Sequence, residues 1–219
     1  MISILQAGDR EYIEKLGLDY IIGIDEAGRG TLAGPVVSAA IAISPTILAS
    51  EIWEKAPLKY TKDSKQVTPA RRMAIYEMIK NQYIIGVGTI SANTIDTINI
   101  LEATKLAWLE ALDQCLLQLP LEAQIGVVID GNIVPVGISY PHKAIIKGDN
   151  KYLSIALASI YAKVYRDNLM TEYNNEYPNY GLNQHKGYGT KLHIESIQKY
   201  GLSLIHRSSF CKNILTPKT

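Results

Sequence analysis

The segment Tyr20-Ile-Ile-Gly-Ile-Asp25-Glu26-Ala-Gly28-Arg29-Gly30 constrains the fold more than any other stretch of this chain. Residues 19 to 25 read as a buried strand that runs into an acid pair and then a glycine-rich turn. Two adjacent carboxylates at the end of such a strand are costly to desolvate unless a cation compensates them. A divalent metal supplies that charge, and glycines beside it let a phosphate backbone come close. The bland alternative is a solvated pair of turn acids, because Asp and Gly are common in turns.

The rest of the chain alternates strand and helix signals. Val36 to Ile43 is a second apolar strand, entered through Gly34-Pro35 and stopped by Ser44-Pro45. It is far too short to cross a bilayer. The stretch from Pro45 to Tyr60 reads as a surface excursion. Thr68-Pro69 caps a helix to about Asn81, and Tyr83 to Ile90 is strand-like, weakened by Gly86 and Gly88. Ser91 caps a short helix, and a longer one runs from Ile100 to Leu119. Ile125 to Asp130 is an unbroken strand ending in an acid, and Lys143 to Ile146 a short one ending near Gly148-Asp149. Helical periodicity covers Asn150 to Tyr177. Thr190 opens a last helix that Gly201 closes, and Cys211 to Thr219 is expected to be a loose tail. Strands followed by alternating helices and strands predict an α/β fold, a mixed sheet covered by helices.

Hydrophobic residues make up 47% and charged residues 20% of the 219, enough for a core in one structural unit. The first residues, Met1-Ile-Ser-Ile-Leu, lack the basic segment and long apolar core of a secretion signal. Two cysteines, Cys115 and Cys211, make no disulfide framework, so a cytoplasmic location is expected. Cys115 lies in an apolar helical pattern and is assigned to the core. The net charge of +1 is unevenly spread: from Lys151 onward nine Lys/Arg face four Asp/Glu. A basic C-terminal region around an acidic centre suits a polyanion bound over carboxylates.

Asp130 repeats the design of the first site, in Val127-Val-Ile-Asp130-Gly-Asn132, and Asp149 closes Ile145-Ile-Lys-Gly-Asp149 just ahead of a helix. If the strands of Asp25 and Asp130 are parallel, both acids emerge at one edge of the sheet, where open α/β sheets bind ligands. Asp149 either joins them or serves as a helix N-cap. Like charges ~4 Å apart repel by about 4 kcal/mol at an effective dielectric near 20. Oxygen-only ligands favour Mg²⁺ or Mn²⁺ over zinc. Two such ions about 4 Å apart activate a water and align a phosphodiester.

Asp25-Glu26-Ala-Gly-Arg-Gly30 with Leu32-Ala-Gly-Pro-Val-Val37 closely resembles the opening motif of ribonuclease HII. The matches continue through Asp63-Ser-Lys65, Val128-Ile-Asp130-Gly and Lys147-Gly-Asp149. Ser154-Ile-Ala-Leu-Ala-Ser-Ile-Tyr-Ala-Lys163-Val-Tyr-Arg-Asp167 follows, then Lys186-Gly-Tyr188-Gly-Thr190 with His193, Tyr200-Gly201, and His206-Arg207-Ser-Ser-Phe210. The resemblance covers nearly the whole chain. It implies the ribonuclease H-like fold, a five-stranded mixed sheet flanked by helices with a helical C-terminal extension, here residues 1–177 and 178–219 of a single structural unit. It also implies a metal-dependent endoribonuclease. Such an enzyme hydrolyses the RNA strand of RNA–DNA hybrids and cuts 5′ of single ribonucleotides in duplex DNA, leaving 3′-hydroxyl and 5′-phosphate ends.

By matching position, the resemblance makes Asp25, Glu26, Asp130 and Asp149 the catalytic and metal-binding acids, with Mn²⁺ or Mg²⁺ as cofactor. Gly28, Arg29 and Gly30 correspond to the turn at the ribose 2′-hydroxyl and adjacent phosphates, and Tyr188 to the tyrosine packed on the sugar at the RNA–DNA junction. Lys65, Lys163, Arg166 and Lys186 are candidates for phosphate contacts, and a solvated surface charge is the alternative for each. Asp167 is read as a salt-bridge partner within its helix. His193 is left between the substrate and a helix terminus. Thr31 stands where the family often has proline, a change expected to loosen the turn. The implied protein is a monomer without a membrane partner. Ribonuclease HIII, the nearest rival, adds an N-terminal domain for which some 20 residues before Asp25 leave no room. A silent nucleic-acid-binding module would lack an acid, and a nucleotide binder would need the missing Walker lysine-serine pattern.

Overall fold

Alternation along the central strands sorts the apolar side chains into two layers. In the computed structural model, which describes residues 4–50 and 68–215, five strands pair in the order β3-β2-β1-β4-β5. They are β1 (Tyr20–Ala27), β2 (Val36–Ile43), β3 (Ile84–Ile90), β4 (Ile125–Asp130) and β5 (His142–Ile145). β1 is antiparallel to β2 and parallel to β4; β2 is antiparallel to β3, and β4 parallel to β5. The sheet is therefore mixed, as the sequence predicts.

Ile22 and Ile24 of β1, with Val127 and Ile129 of β4, pack against α5 (Ile100–Leu116) through Trp108, Ala111, Leu112 and Cys115. On the other face Ile21, Ile41, Ile43 and Val128 meet α6 (Leu153–Glu176), joined by α1 (Ile4–Leu16) and α3 (Pro69–Gln82). β2 is buried along its whole length, and Ala39, Ala40 and Ala42 keep it thin enough for helices on both sides. Gly88 serves the same purpose. A Cβ there would lie 2.1 Å from the Ala107 carbonyl oxygen of α5, so the glycine that looks like a weak point in β3 is where the helix seats.

Most predicted elements are present with shifted ends. Thr68 and Ser91 cap α3 and α4 (Ala92–Ile98), accepting from Arg71 N at 3.4 Å and Thr94 N at 3.2 Å. Thr190 opens α8 (Lys191–Tyr200), and Gly201 closes it at φ 77°. β1 continues two residues past Asp25, because Ala27 still pairs with Val37. Two readings are corrected. The supposed tail is helical as far as Leu215: α9 (Ser208–Leu215) buries Cys211 completely, and Asp96 accepts from the Ser208 and Ser209 amides at its N-terminus, while residues 216–219 lie outside the described residues. The supposed excursion after Ser44 begins as α2 (Pro45–Ala49); residues 51 to 60 lie outside the described residues. Between α6 and α9, α7 (Leu182–His185) and α8 surround a small core of Tyr180, Leu182, Ile197 and Cys211. Met170 of α6 and Ala33 of the β1–β2 connection complete it. No helix among the described residues is long and apolar enough to cross a membrane.

Helix α1 was not foreseen. Leu5, Tyr12 and Ile13 share its buried face with a carboxylate, Asp9, which caps α6 from a distance. Asp9 Oδ2 accepts from Leu153 N at 2.7 Å and Ser154 N at 3.1 Å, and its Oδ1 accepts from Ser154 Oγ at 2.6 Å. Burial nevertheless outweighs these donors and pushes its pKa up to about 7. With a folded value above the unfolded 3.8, the stability tied to this group is full at low pH and is lost as pH rises through about 7. Asp9→Ala, which leaves two buried amides without an acceptor, is expected to cost about 2 kcal/mol. Asp9→Asn should cost less and flatten the stability profile between about pH 4 and pH 7, the window set by the two pKa values. Urea unfolding across that window checks both outcomes.

Candidate active site

Register puts two acids side by side. Ile24 lies opposite Ile129 in the parallel β1–β4 pair, so Asp25 and Asp130, one residue further along each strand, leave the sheet at one edge. Both turn toward the α6 layer, since Ile24 and Ile129 face α5. Asp25 Oδ1 accepts from the Glu26 amide at 2.7 Å, and Ser159 of α6 donates to the same carboxylate. Burial above all, then the charges of Glu26 and Asp130, holds the Asp25 carboxyl well above the usual range. Asp130 Oδ1 accepts from Gly148 N at 2.7 Å.

Glu26 emerges on the opposite face. Its Oε2 accepts from Trp108 Nε1 at 2.9 Å and its Oε1 from Arg29 at 3.2 Å. Burial raises the Glu26 carboxyl, Arg29 and Trp108 oppose the rise, and Asp130 adds to it. Asp149 is buried in the 3₁₀ turn Gly148–Asn150, where its Oδ1 accepts from Asn150 Nδ2 at 3.0 Å. It is not the N-cap of α6, whose first amides Asp9 takes. The turn carrying Asp149 is tied to Asp130 through Gly148.

The Gly28–Gly30 turn stands on two fully buried arginines. Arg207 donates to the carbonyls of Gly28 (2.7 Å), Arg29 (2.9 Å) and Gly34. Arg166 donates to the carbonyls of Pro35, Ala33 and Lys186 and to Thr31 Oγ1. Arg166, read from the sequence as a phosphate candidate, is thus an internal strut. Gly28, at φ 94°, could carry no side chain: a Cβ would sit 2.0 Å from Arg166 Nε. Around Gly30 the space is open. Thr31 does not loosen the turn; it is buried, and its hydroxyl lies 3.1 Å from the carbonyl oxygens of both Gly28 and Ala33.

A cleft of about 350 Å³ runs beside these groups, lined by Glu26, Gly28, Arg72, Ser159, Lys163 and Tyr188, among others. Lys163 bonds Asp167 at 2.7 Å, as read from the sequence, and its ammonium stands 5.5 Å from the centre of the Tyr188 ring. Lys186 turns its ammonium to Thr171 and contributes its carbonyl to Arg166. His193 is completely buried, with its Nδ1 3.0 Å from the Tyr188 carbonyl. Lys65 lies outside the described residues. Sequence reasoning gave no role here to Trp108, Ser159, Arg72 or Arg207, although Ser159 and Arg207 lie inside the quoted motifs and Arg72 belongs to an Arg71-Arg72 pair at a helix start.

Among the described residues no three His, Cys, Asp or Glu side chains stand ready to enclose an ion. The donor set still fits one. Asp25, Asp130 and Glu26 are oxygen donors whose mutual repulsion a hard divalent cation would relieve. Shared coordination requires Glu26 to turn from Trp108 and Arg29.

The family model described as Ribonuclease HII matches residues 22–213. The ribonuclease HII of Alkaliphilus metalliredigens (strain QYMF) is 45% identical over 200 residues, 91% of this chain and 93% of that protein. Ribonuclease H2 from Pyrococcus horikoshii OT3 superposes with a TM-score of 0.68 at 26% identity, over 89% of this chain and 96% of that one. Bst ribonuclease HIII, solved in complex with Mn²⁺, gives a TM-score of 0.69 at 20% identity over 92% of this chain and 71% of that one, a likeness of fold alone.

Crowded buried acids have a cost that can be measured. The folded pKa of Asp25 lies above its unfolded value, so its stability contribution is present at low pH and lost as pH rises. Removing the charge with Asp25→Asn should therefore stabilise metal-free protein at pH 8 by on the order of 1 kcal/mol, or roughly 2–4 °C. Near pH 3 the gain should vanish. Calorimetry in the presence of a chelator checks this, and an unchanged or lower melting temperature at pH 8 would contradict the repulsion.

Proposed function

Because the chain belongs to the ribonuclease HII family, and so is a ribonuclease H that hydrolyses RNA in RNA–DNA hybrids, we propose that Asp25, Glu26, Asp130 and Asp149 are its catalytic acids. The observation that carries this reading is the placement of Asp25 and Asp130, one residue past the Ile24–Ile129 pair, at one edge of parallel strands beside a glycine turn and a cleft lined by Glu26, Lys163 and Tyr188. These four side chains would hold the divalent ions the family uses, Mn²⁺ or Mg²⁺. When bound, the ions supply an activated water and neutralise charge on the phosphate.

The chain's own groups do the rest. The Gly28-Arg29-Gly30 turn presents its backbone toward the ribose, whose 2′-hydroxyl is the group that tells RNA from DNA. With the Gly28 and Arg29 carbonyls held inward by Arg207, the turn can offer amides to the hydroxyl and the adjacent phosphates. Open space at Gly30 permits the approach. Arg29, whose side chain is half exposed, and Lys163 add positive charge along the backbone path. Tyr188, 44% exposed on the cleft wall, packs its ring on the sugar at the RNA–DNA junction without reading a base. Sequence-independent cleavage fits that arrangement, and the family resemblance puts the cut 5′ of a lone ribonucleotide. We read residues 178–219 as an extension of the catalytic unit 1–177, supported by the core they share with Met170 and Ala33. A cytoplasmic monomer acting on hybrids and on ribonucleotide-containing duplex DNA is the corresponding biological unit.

The wild-type protein is expected to cut a DNA duplex containing one ribonucleotide in Mg²⁺ or Mn²⁺, leaving 3′-hydroxyl and 5′-phosphate ends, and to spare an all-DNA control. Asp25→Asn should lower the rate about a thousandfold or more while leaving substrate binding within a few-fold. Gel analysis of end-labelled duplexes checks both. Undiminished cutting by the variant would remove Asp25 from the chemistry.

A further inference from the structure

Three buried histidines stand behind Tyr188, and the reaction as described uses none of them. His185 and His193 stack with ring centres 4.3 Å apart, and His193 Nε2 lies 3.1 Å from His206 Nε2. Their backbone partners fix every proton. Ser203 N–H can only donate, and it points at His206 Nδ1 at 3.0 Å; His206 therefore carries its proton on Nε2 and gives it to His193 Nε2. His193 must then carry its own proton on Nδ1, where the Tyr188 carbonyl accepts it at 3.0 Å. The same logic fixes His185, whose Nδ1 accepts from Gly187 N at 3.2 Å and whose Nε2 faces the Tyr180 carbonyl at 2.8 Å.

The result is an ordered neutral relay, Ser203 to His206 to His193 to Tyr188, with one permitted tautomer at each ring. A second proton on either ring would set two donors against each other. Burial disfavours it as well, pulling both His193 and His206 down to about 4. The relay is therefore constant at neutral pH and acts as a brace rather than a switch. It ends on the peptide of the one residue whose ring projects into the cleft beside Lys163. That carbonyl also accepts from Thr190 N at 2.8 Å, and the Tyr188 amide donates to the His185 carbonyl at 2.9 Å, so the peptide is held from both sides.

We propose that His193, with its tautomer set by His206, is a positioning residue for Tyr188, holding the ring where it meets the junction sugar and so governing cleavage at a lone ribonucleotide. The proposal rests on the reading of Tyr188 given above. It assigns different work to the two nitrogens of one ring, and two isosteric amides separate them. Asn places a nitrogen where Nδ1 was and keeps the bond to Tyr188; Gln reaches the Nε2 position and keeps only His206.

The test measures single-turnover cleavage of a one-ribonucleotide duplex and of an RNA–DNA hybrid, with thermal melting of each variant. His193→Gln is expected to slow the one-ribonucleotide substrate about tenfold, as a displaced contact does, and the hybrid about twofold or less. His193→Asn should stay within about threefold of wild type on both, by the same argument. In a Tyr188→Ala background His193→Gln should add nothing further, because it acts through the missing ring. His206→Leu, which removes the donor that sets the tautomer without touching Tyr188, should move cleavage in the same direction as His193→Gln. Equal losses in the Asn and Gln variants, or a Gln loss that persists without the tyrosine ring, would reduce His193 to core packing and overturn the proposal. Slow cleavage by Tyr188→Ala beside normal cleavage by His193→Gln would sink the relay alone. Normal junction cleavage by Tyr188→Ala would sink the reading of Tyr188 itself, and the relay's role with it.

Discussion

Two buried guanidinium groups hold the site together. Arg166 and Arg207 are completely buried, yet their hydrogen bonds run to backbone carbonyls and one hydroxyl rather than to a carboxylate. Burying a cation this way is costly. Burial, followed by the neighbouring charge of Arg166, pulls Arg207 down to about 9. What the arrangement gains is orientation. Carbonyls from Gly28, Arg29, Ala33, Gly34, Pro35 and Lys186 all converge on the pair, so the connection after the acids and the segment before Tyr188 are fixed to one another. An exposed glycine turn has no side-chain packing of its own, and without such anchors it would sample many conformations. Positive charge beneath the turn also favours a polyanion above it.

The acids pose the opposite problem. Asp25 and Asp130 are forced together by strand register, and register is dictated by the apolar residues behind them: shifting β1 by one residue against β4 would turn Ile22 and Ile24 from the α5 layer into the α6 layer, where Gly23 leaves no room for a side chain. The core's preference for one alignment thus sets the carboxylates side by side although their charges repel. Glu26, one residue on, must point to the other face, where Trp108 and Arg29 neutralise part of its charge. The asymmetry matters: Asp25 and Asp130 are placed by the sheet, whereas Glu26 is placed by side-chain bonds that can be exchanged for others.

Much of this was legible in the sequence, for reasons that also explain the gaps. Val36–Ile43 and Ile125–Asp130 were readable because a strand buried on both faces is an unbroken apolar run with sharp ends. Two copies of one strand–acid–glycine pattern made a shared edge for Asp25 and Asp130 conditional on parallel strands, and the β1–β4 pairing meets that condition. Arg166 was misread because a phosphate-binding arginine and a buried strut look identical in one dimension; only the carbonyls around it distinguish them. Asp9 escaped notice because its partners, Leu153 and Ser154, lie far away along the chain. The C-terminal helix was missed because Cys211 becomes a core residue only once Leu32 and Ala33 have been brought to it from the β1–β2 connection.

Fold similarity and sequence similarity carry different information here. The TM-scores of 0.68 and 0.69 to a ribonuclease H2 and a ribonuclease HIII do not separate the two kinds of enzyme, because both depend on the same sheet and its helices. Local chemistry is a separate matter, and in this chain it can be followed at Thr31, where the resemblance leads one to expect proline. A proline there would restrict φ and stiffen the turn through its ring. Threonine reaches a comparable constraint by hydrogen bonding: its hydroxyl accepts from Arg166 at 2.9 Å and spans the carbonyls of Gly28 and Ala33. Arg207 grips the carbonyls of the turn and Arg166 the threonine beside it, so the residue after the glycines belongs to the same hydrogen-bonded frame as the turn itself.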